Sequence, residues 1–353
     1  MTDNNLVREI KELLNSGVAN KEFPGAHFAI IYQDGTVLKD YVGYKQVLPT
    51  KEKNQGSEIY DCASLTKVIS TTSMVMKLIE EKKISLKTLV YQVLPRFKHY
   101  EITVYHLLTH TSGLPADVSR AKALVDKNDV LERIYEYDLI NNVGEKIVYS
   151  DIGFILLGLM IETITKMPLD EYAKKVVFEP LKMENTSYHP NKQLCAPTEF
   201  RDDEVYRGLL KGLVHDEKAF ALNGVSGHAG MFSTVEDLAK FILSFLRNDE
   251  TILKKATVDS LFIERERDFN NQGTLLIRSL GWQKKTKGST SGDNTSYENT
   301  ILHTGFTGCN LWIDKLAGIG FVLLSNAVHP KRENNGIGKY RNKIGNIIIP
   351  KED

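Results

Sequence analysis

The start of the chain changes from a helical to a strand-like spacing of apolar positions. Apolar side chains first recur every three to four residues: Leu6, Ile10, Leu13 and Leu14. Two β-type runs follow, residues 25–32 and 36–44, with Asp34 and Gly35 between them. Asp-Gly between two such runs is a strong signal for a hairpin turn. The sequence therefore predicts a helix followed by a β-hairpin.

From residue 64 to about residue 190 the pattern is helical almost throughout. The apolar residues of 64–81 fall mostly on one side of a helix. Four later stretches have a helical pattern: 104–108, 130–139, 153–165 and 169–178. Further on, Ser233 and Glu236 form a capping-box pattern before a predicted helix at 238–246.

Strand-like runs return near the end of the chain, before a last amphipathic segment at 340–348. There are three such runs: 299–303, 309–314 and 320–324. Terminal strands that share one sheet, with a helical lobe inserted between them, are the simplest packing of this order. We expect an α/β lobe of residues 1–63 and 195–353, a mainly helical lobe of residues 64–194, and a ligand cleft between the lobes.

Charge and composition narrow the choice of partner. The chain has 353 residues, and Lys+Arg and Asp+Glu both total 45, so no basic excess indicates nucleic acid. No apolar run is long enough to span a bilayer, and the N-terminal residues do not resemble a signal peptide. We expect a cytoplasmic protein, or an extracytoplasmic one if a leader was removed, that acts on a small molecule.

A possible nucleophile lies at the start of the first long predicted helix. Residues 64–67 read Ser-Leu-Thr-Lys, which puts the Ser64 hydroxyl and the Lys67 amine one turn apart on one face. Serine becomes a good nucleophile only when a base takes its proton. The spacing alone is more often a helix cap beside a solvated lysine, and Ser119 and Lys122 repeat it in a polar stretch.

Two further patterns could complete such a site. Residues 149–151 read Tyr-Ser-Asp before an apolar helix, and a buried tyrosine can relay a proton when cations lower its pKa. The alternative is that Tyr149 is an ordinary loop residue and that Asp151 caps the following helix. Residues 303–305 read His-Thr-Gly at the end of a strand-like run, and the alternative there is a glycine-rich hairpin turn.

The three patterns in this order resemble the signature of class C β-lactamases, D-alanyl-D-alanine carboxypeptidases and related esterases. Three other stretches look like runs of this family: 102–115, 178–181 and 227–234. Residues 196–199 and 214–217 look like the subgroup of penicillin-binding protein 4B-type carboxypeptidases and related bacterial serine hydrolases. The resemblance covers nearly the whole chain.

This resemblance implies an α+β fold of the β-lactamase/transpeptidase type: a three-layer α/β/α sandwich with a mainly antiparallel sheet, plus an all-helical lobe. It implies a serine hydrolase that is acylated on Ser64, with Lys67 and Tyr149 as the proton-transferring pair. The N–H groups of Ser64 and Phe306 would form the oxyanion hole. His303, Thr304 and Gly305 would face the substrate.

The implied substrate is a muropeptide, a β-lactam or a short ester, cleaved at an amide or ester bond as in D-alanyl carboxypeptidases and esterases. The alternative is a penicillin- or muropeptide-binding sensor that is acylated but turns over slowly. The resemblance implies no cofactor and no metal. The histidines at 106, 110, 215 and 228 do not have metal-motif spacing, so we expect them in packing or loop hydrogen bonds.

Two positions depart from the family pattern and disfavour efficient β-lactamase activity. Asp151 stands where the family often has Asn, and an ionised carboxylate cannot donate a hydrogen bond. It could instead hold Lys67 and raise the pKa of that lysine. His303 stands where the family often has Lys. With an ordinary pKa of ~6.5 it would gain a positive charge near pH 6 and attract a substrate carboxylate.

The two S-x-x-K patterns make the nucleophile testable. Ser64→Ala should abolish ester hydrolysis and covalent labelling, because it removes the hydroxyl that would be acylated. Ser119→Ala, at the accidental match, should leave both near wild type. Peptide mapping of the labelled protein checks the assignment, and a label found on Ser119 would overturn it.

Overall fold

The computed structural model describes residues 3–119, 124–203 and 206–351. Its α-helices are α1 (Asp3–Ala19), α2 (Ser73–Glu80), α3 (Val90–Val93), α4 (Val104–Thr109), α5 (Lys127–Glu136), α6 (Asp151–Thr165), α7 (Leu169–Ala173), α8 (Glu217–Ala221), α9 (Val235–Arg247), α10 (Lys255–Ser260) and α11 (Gly338–Ile348). Two π-helical segments adjoin α2 and α7: Lys67–Thr72 and Lys174–Phe178. Short 3₁₀ turns cover Lys192–Leu194 and Arg332–Asn334.

The strands are β1 (Gly25–Tyr32), β2 (Val37–Gln46), β3 (Glu52–Lys53), β4 (Tyr60–Asp61), β5 (Phe200–Asp202), β6 (Arg207–Leu209), β7 (Phe232–Ser233), β8 (Glu266–Phe269), β9 (Leu275–Arg278), β10 (Gln283–Lys284), β11 (Thr300–Thr304), β12 (Asn310–Asp314) and β13 (Ile319–Ser325). Nine of them form one antiparallel sheet in the order β3-β2-β1-β13-β12-β11-β10-β9-β8. Two small pairs lie outside it: β4 with β7 and β5 with β6.

The two ends of the chain meet inside this sheet, as the sequence predicted. β1 pairs with β13 over seven residues, from Ala26 opposite Ser325 to Tyr32 opposite Ile319. The predicted hairpin is present, and Asp34 Oδ1 accepts a hydrogen bond of 2.7 Å from the Thr36 N–H in its turn. The sequence missed β8, β9 and β10, which are short and widen the sheet beyond β11.

Alternating side chains cover the two faces of the sheet with different helices. On β13, Phe321 and Leu323 pack in the core with α1 and α11, whereas Val322 and Leu324 join the core that contains α9. Strand side chains point alternately to opposite faces, so one strand supplies both cores. The prediction of helices on both faces of a mainly antiparallel sheet is confirmed.

The predicted helical stretch between the strands is also present. α6 is apolar on nearly all sides, and its buried residues pack with α3, α4 and the helix that follows Ser64. In the described ranges no single helix is long and apolar enough to cross a membrane. The helical segments 151–165 and 169–178 meet this criterion only when they are taken together, and the chain bends by 80° between them. The lobe boundaries at residues 63/64 and 194/195 stay a prediction.

One close approach fixes the loop at residues 226–228 on α6. A Cβ built on Gly227 would lie 2.1 Å from the carbonyl oxygen of Phe154 and 3.0 Å from the backbone nitrogen of Gly158. Only glycine permits this distance. The next residue, His228, accepts a hydrogen bond of 3.0 Å from Lys67 Nζ through its carbonyl oxygen. The packing of Gly227 therefore helps to position a group beside Lys67.

Gly227→Ala should lower the free energy of unfolding by about 1–3 kcal/mol, because the added methyl group must push the loop off α6. Gly338→Ala is the control, since a Cβ there meets nothing within 4 Å. It should change the free energy of unfolding by less than about 0.5 kcal/mol. Chemical denaturation of both variants measures this difference, and equal losses would contradict the role of the close approach.

Candidate active site

The backbone turns sharply just before Ser64. Ala63 has a φ of 45°, a left-handed conformation that costs energy for a residue with a Cβ. Two contacts hold it there. The Ala63 N–H donates to Asp61 Oδ1 at 2.8 Å, and its carbonyl accepts from the Thr66 hydroxyl at 2.7 Å. Ser64 follows at the start of the helix and lines a cleft that Tyr149, Asp151 and His303 also line.

Lys67 is fully buried one turn after Ser64, and its ammonium group has three oxygen neighbours. Nζ lies 2.9 Å from Ser64 Oγ, 3.0 Å from the His228 carbonyl oxygen and 2.8 Å from Asp151 Oδ1. Burial acts to lower the pKa of Lys67, but the charge of Asp151 outweighs it and leaves that pKa raised. Lys67 is therefore protonated at neutral pH and donates to Ser64.

The Tyr149 ring lies among cations and imidazoles. Its centroid is 4.9 Å from Lys67 Nζ and 5.5 Å from Arg278 Cζ, distances at which cations interact with an aromatic ring. The ring of His110 lies 4.6 Å from it and that of His303 lies 5.9 Å from it, measured between centroids. The second predicted pattern thus lies beside the first in space.

Ser150, and not Asp151, caps α6. Its hydroxyl accepts a hydrogen bond of 3.4 Å from the Gly153 N–H and donates one of 2.6 Å to the Pro115 carbonyl. The alternative role of Asp151 as the helix cap is therefore wrong. Its carboxylate faces Lys67 from the first turn of α6 and contacts a second buried lysine, Lys218, through Oδ2 at 3.2 Å.

Asp151 is ionised. Burial would raise the pKa of this carboxyl group, but the nearby Lys67, His228 and Lys218 lower it overall. Ligand atoms of Asp151, Asp216 and His228 lie within 4.8 Å of one another, a spacing that could hold a metal ion. The ammonium of Lys218 already contacts both carboxylates there, at 3.2 and 2.9 Å. This cluster therefore has a cation of its own.

His303 lies at the end of β11 as a neutral imidazole. Its Nδ1 donates to the Thr304 carbonyl oxygen at 2.9 Å, and its Nε2 is buried with no hydrogen-bond partner among the described residues. Burial, together with the charges of Lys67 and Arg278, lowers the pKa of His303 to about 3. The expectation that His303 gains a charge near pH 6 is therefore wrong.

The residues after His303 bring the strand end against the Ser64 turn. Thr304 and Phe306 line the cleft, and the half-exposed Phe306 ring stacks on His215 at 5.6 Å. A Cβ on Gly305 would lie 2.7 Å from the Cys62 carbonyl oxygen, so Gly305 permits the close approach. Within the described ranges, the N–H groups of Ser64 and Phe306 have no hydrogen-bond acceptor.

Arg278 at the end of β9 is a cleft residue that sequence reasoning missed. Its side chain is buried and lines the same cleft as Ser64. Across residues 3–119, 124–203 and 206–351 it makes no ion pair or side-chain hydrogen bond. A buried, unpaired guanidinium is costly unless an anion comes to it. The signal in the sequence was only an arginine that ends the apolar run Leu-Leu-Ile.

The cleft has a volume of about 500 Å³, the size of a small-molecule site. Arg278 and His303 line it together with five further charged residues: Asp117, Asp216, Glu217, Lys218 and Arg332. The second S-x-x-K pattern is not part of this cleft. Ser119 is exposed, and Lys122 lies outside the described residues.

The sequence matches the family model described as Beta-lactamase over residues 10–344. An N-acetylmuramyl-L-alanine amidase of Bacillus subtilis (strain 168) is 30% identical, over 92% of this chain and 81% of the relative. A putative D-alanyl-D-alanine carboxypeptidase of Salmonella enteritidis PT4 is 29% identical, over 87% of this chain and 79% of the relative.

Solved structures show the same fold. A hydrolase with promiscuous acyltransferase activity, EstCE1, superposes with a TM-score of 0.78 at 20% identity, over 98% of this chain and 99% of that one. The octameric penicillin-binding protein homologue from Pyrococcus abyssi superposes with a TM-score of 0.73 at 24% identity, over 95% of this chain and 76% of that one. The fold that the sequence motifs predicted is confirmed.

The neutral state of His303 can be tested by its titration. Its ring resonances, assigned with His303→Gln, should stay those of neutral imidazole between pH 8 and 5 in the folded protein. In the urea-unfolded chain the same ring should titrate near its reference pKa of ~6.5. A titration midpoint above pH 5 in the folded protein would contradict the effect of burial.

The lowered pKa of His303 also makes the stability of the protein depend on pH. Because the folded pKa of about 3 lies below the unfolded value, the unfolded chain binds more protons between these two pH values. The contribution of His303 to stability is complete above the unfolded pKa and is lost as pH falls towards the folded pKa. His303→Gln should therefore lose less stability than wild type over that acidic window.

Proposed function

We propose that this chain, which belongs to the Beta-lactamase family, is a serine hydrolase that forms an acyl-enzyme on Ser64. Its substrate would be a small amide or ester that carries a carboxylate, of the D-alanyl or muramyl peptide type. The observation that carries this proposal is the buried Arg278 guanidinium, unpaired within the described ranges, in the same cleft as Ser64 and Lys67.

Acylation would begin from the contact between Lys67 Nζ and Ser64 Oγ at 2.9 Å. In the fraction of molecules whose Lys67 has lost a proton, the amine takes the hydroxyl proton as Oγ attacks the substrate carbonyl. Tyr149 would pass its proton to the leaving amine or alcohol as the bond to it breaks, and would regain one from the Lys67 ammonium. Water would then release the acyl group and restore the serine.

The developing oxyanion would be held by two backbone N–H groups, those of Ser64 and Phe306. Neither has an acceptor in the part of the chain that the structure describes, so both are available to a ligand. Loss of one such donor typically costs ~3 kcal/mol of transition-state stabilisation. The Ser64 amide follows the left-handed turn at Ala63, and both residues line the cleft.

Recognition of the substrate carboxylate would fall to Arg278. A neutral His303 offers a hydrogen-bond acceptor at Nε2 and no positive charge, so it cannot replace the lysine of the family pattern. A guanidinium can bind a carboxylate through two parallel hydrogen bonds. The names of the two relatives, a muramyl-alanine amidase and a D-alanyl carboxypeptidase, support a substrate of this class.

The second candidate is a ligand sensor that is acylated on Ser64 but releases the acyl group slowly, and one observation favours it. Lys67 is held in its charged form, and a protonated amine cannot activate water for deacylation. The two candidates share the acylation of Ser64 and differ in the release of the acyl group.

Intact-mass spectrometry separates them. The protein is incubated with a fluorescent penicillin and, separately, with p-nitrophenyl acetate and butyrate. We expect a Ser64 adduct with turnover of the esters. An adduct that accumulates without turnover would support the sensor, and no adduct with any reagent would contradict both candidates.

Arg278→Met should lower kcat/KM for a D-alanyl-D-alanine peptide by about 10- to 100-fold, the effect of losing a hydrogen bond to a charged group. Hydrolysis of p-nitrophenyl acetate, which has no carboxylate, should change only a few-fold. The control is Arg267→Met on the neighbouring β8, an exposed arginine paired with Glu264. Equal losses on both substrates would contradict a carboxylate contact by Arg278.

A further inference from the structure

Lys218 is a buried lysine beside the cleft whose ammonium group contacts three carboxylates. It lies in α8 with about 1% of its surface exposed. Its Nζ is 2.9 Å from Asp216 Oδ2, 2.8 Å from Asp117 Oδ1 and 3.2 Å from Asp151 Oδ2. No pattern in the sequence singled it out, and the mechanism above does not use it.

Asp151 connects this lysine to the site. Its Oδ1 lies 2.8 Å from Lys67 Nζ and its Oδ2 lies 3.2 Å from Lys218 Nζ, so one carboxylate lies between two buried ammonium groups. A carboxylate at this distance favours the charged form of a lysine by about 1–3 pH units. A second cation bound to the same carboxylate reduces this effect on the pKa of the first lysine.

A set of fixed contacts holds Lys218 in place. Asp216 caps α8, and its Oδ1 accepts from the backbone N–H groups of Lys218 and Ala219 at 3.0 and 2.9 Å. His228 Nε2 lies 2.8 Å from the same oxygen, and the His228 carbonyl accepts from Lys67. The two lysines are thus bound to one rigid group of residues.

The other charged or titratable groups near Lys67 come from several elements: Tyr149 from the loop before α6, His110 from the end of α4, Arg278 from β9, His303 from β11, and Asp117, Asp216 and His228 from loops. In the described ranges, the carboxylate in contact with both ammonium groups is that of Asp151. Any influence of Lys218 on Lys67 through a shared contact therefore passes through Asp151.

We propose that Lys218 is a positioning residue that sets the proton affinity of Lys67 by sharing the Asp151 carboxylate. The contact between Lys218 Nζ and Asp151 Oδ2 weakens the attraction between Asp151 and the Lys67 ammonium group. It therefore increases the fraction of Lys67 that is deprotonated and can act as a base. The catalytic meaning of this effect rests on the proposed function, because it requires Lys67 to accept the Ser64 proton.

Substitutions of Lys218 and of Asp117 should move the pKa of Lys67 in opposite directions. Lys218→Met removes the competing cation, so the rising limb of kcat/KM against pH for p-nitrophenyl acetate should move to higher pH by about one unit. Asp117→Asn removes a carboxylate that competes for Lys218, so the limb should move to lower pH. Lys218→Arg keeps the charge and should leave the limb near that of wild type.

A double-mutant cycle tests the route through Asp151. In the Asp151→Asn background, Lys218→Met should move the limb much less than it does in the wild-type protein. A merely structural role for Lys218 predicts lower stability and lower rates without movement of the limb. Displacement of the limb in the same direction by Lys218→Met and Asp117→Asn, or an undiminished shift in the Asp151→Asn background, would overturn the proposal.

A second readout does not depend on catalysis. Nuclear magnetic resonance of ¹³Cε-labelled lysine, with Lys67 assigned from Lys67→Arg, follows the titration of Lys67 directly. We expect the same order of midpoints, with Asp117→Asn lowest and Lys218→Met highest. If the esters are not hydrolysed and Ser64 is not labelled, the proposed function fails while this titration still decides the role of Lys218. If Lys218→Met does not fold, Asp117→Asn alone carries the test, and an unchanged midpoint would overturn the proposal.

Discussion

The site depends on the burial of one ammonium group. A lysine with no exposed surface is very unfavourable unless oxygen atoms replace its water. Lys67 obtains them from Ser64, from the His228 carbonyl 161 positions away in the sequence, and from Asp151 on α6. These acceptors belong to three separate parts of the chain. The requirement to solvate one cation therefore holds the helix that begins after Ser64, α6 and the 226–228 loop together.

Local backbone features serve the same arrangement. The left-handed Ala63 directs Ser64 into the cleft, and the π-helical turn begins at Lys67 itself. Segments of this kind are rare and often lie at functional sites. Gly227 and Gly158 allow the loop to approach α6 closely enough for the His228 carbonyl to reach Lys67. Each feature costs stability alone and is maintained by the surrounding contacts.

Charge is also redistributed relative to the family pattern. His303 brings no charge, because it is buried and lies near Lys67 and Arg278, and Arg278 supplies a cation to the cleft instead. Asp151 adds a negative charge where the family often has a neutral amide, and Lys218 brings a cation to it. Each departure from the pattern thus has a cation beside it: Arg278 near His303, and Lys218 in contact with Asp151.

Local spacing along the chain was enough to predict the hairpin, the long helices, the last three strands of the sheet and the positions of the three motifs. It missed Arg278, Lys218 and the Ser150 cap, and it gave His303 an ordinary pKa. Arg278 and Lys218 come from β9 and α8, short elements with little periodicity, and nothing near them in the sequence marks their contacts. Burial, the distance between charges and the choice of partner are properties of the assembled chain. Which cations line the cleft, and which carboxylate lies between the two buried lysines, became visible only in the folded protein.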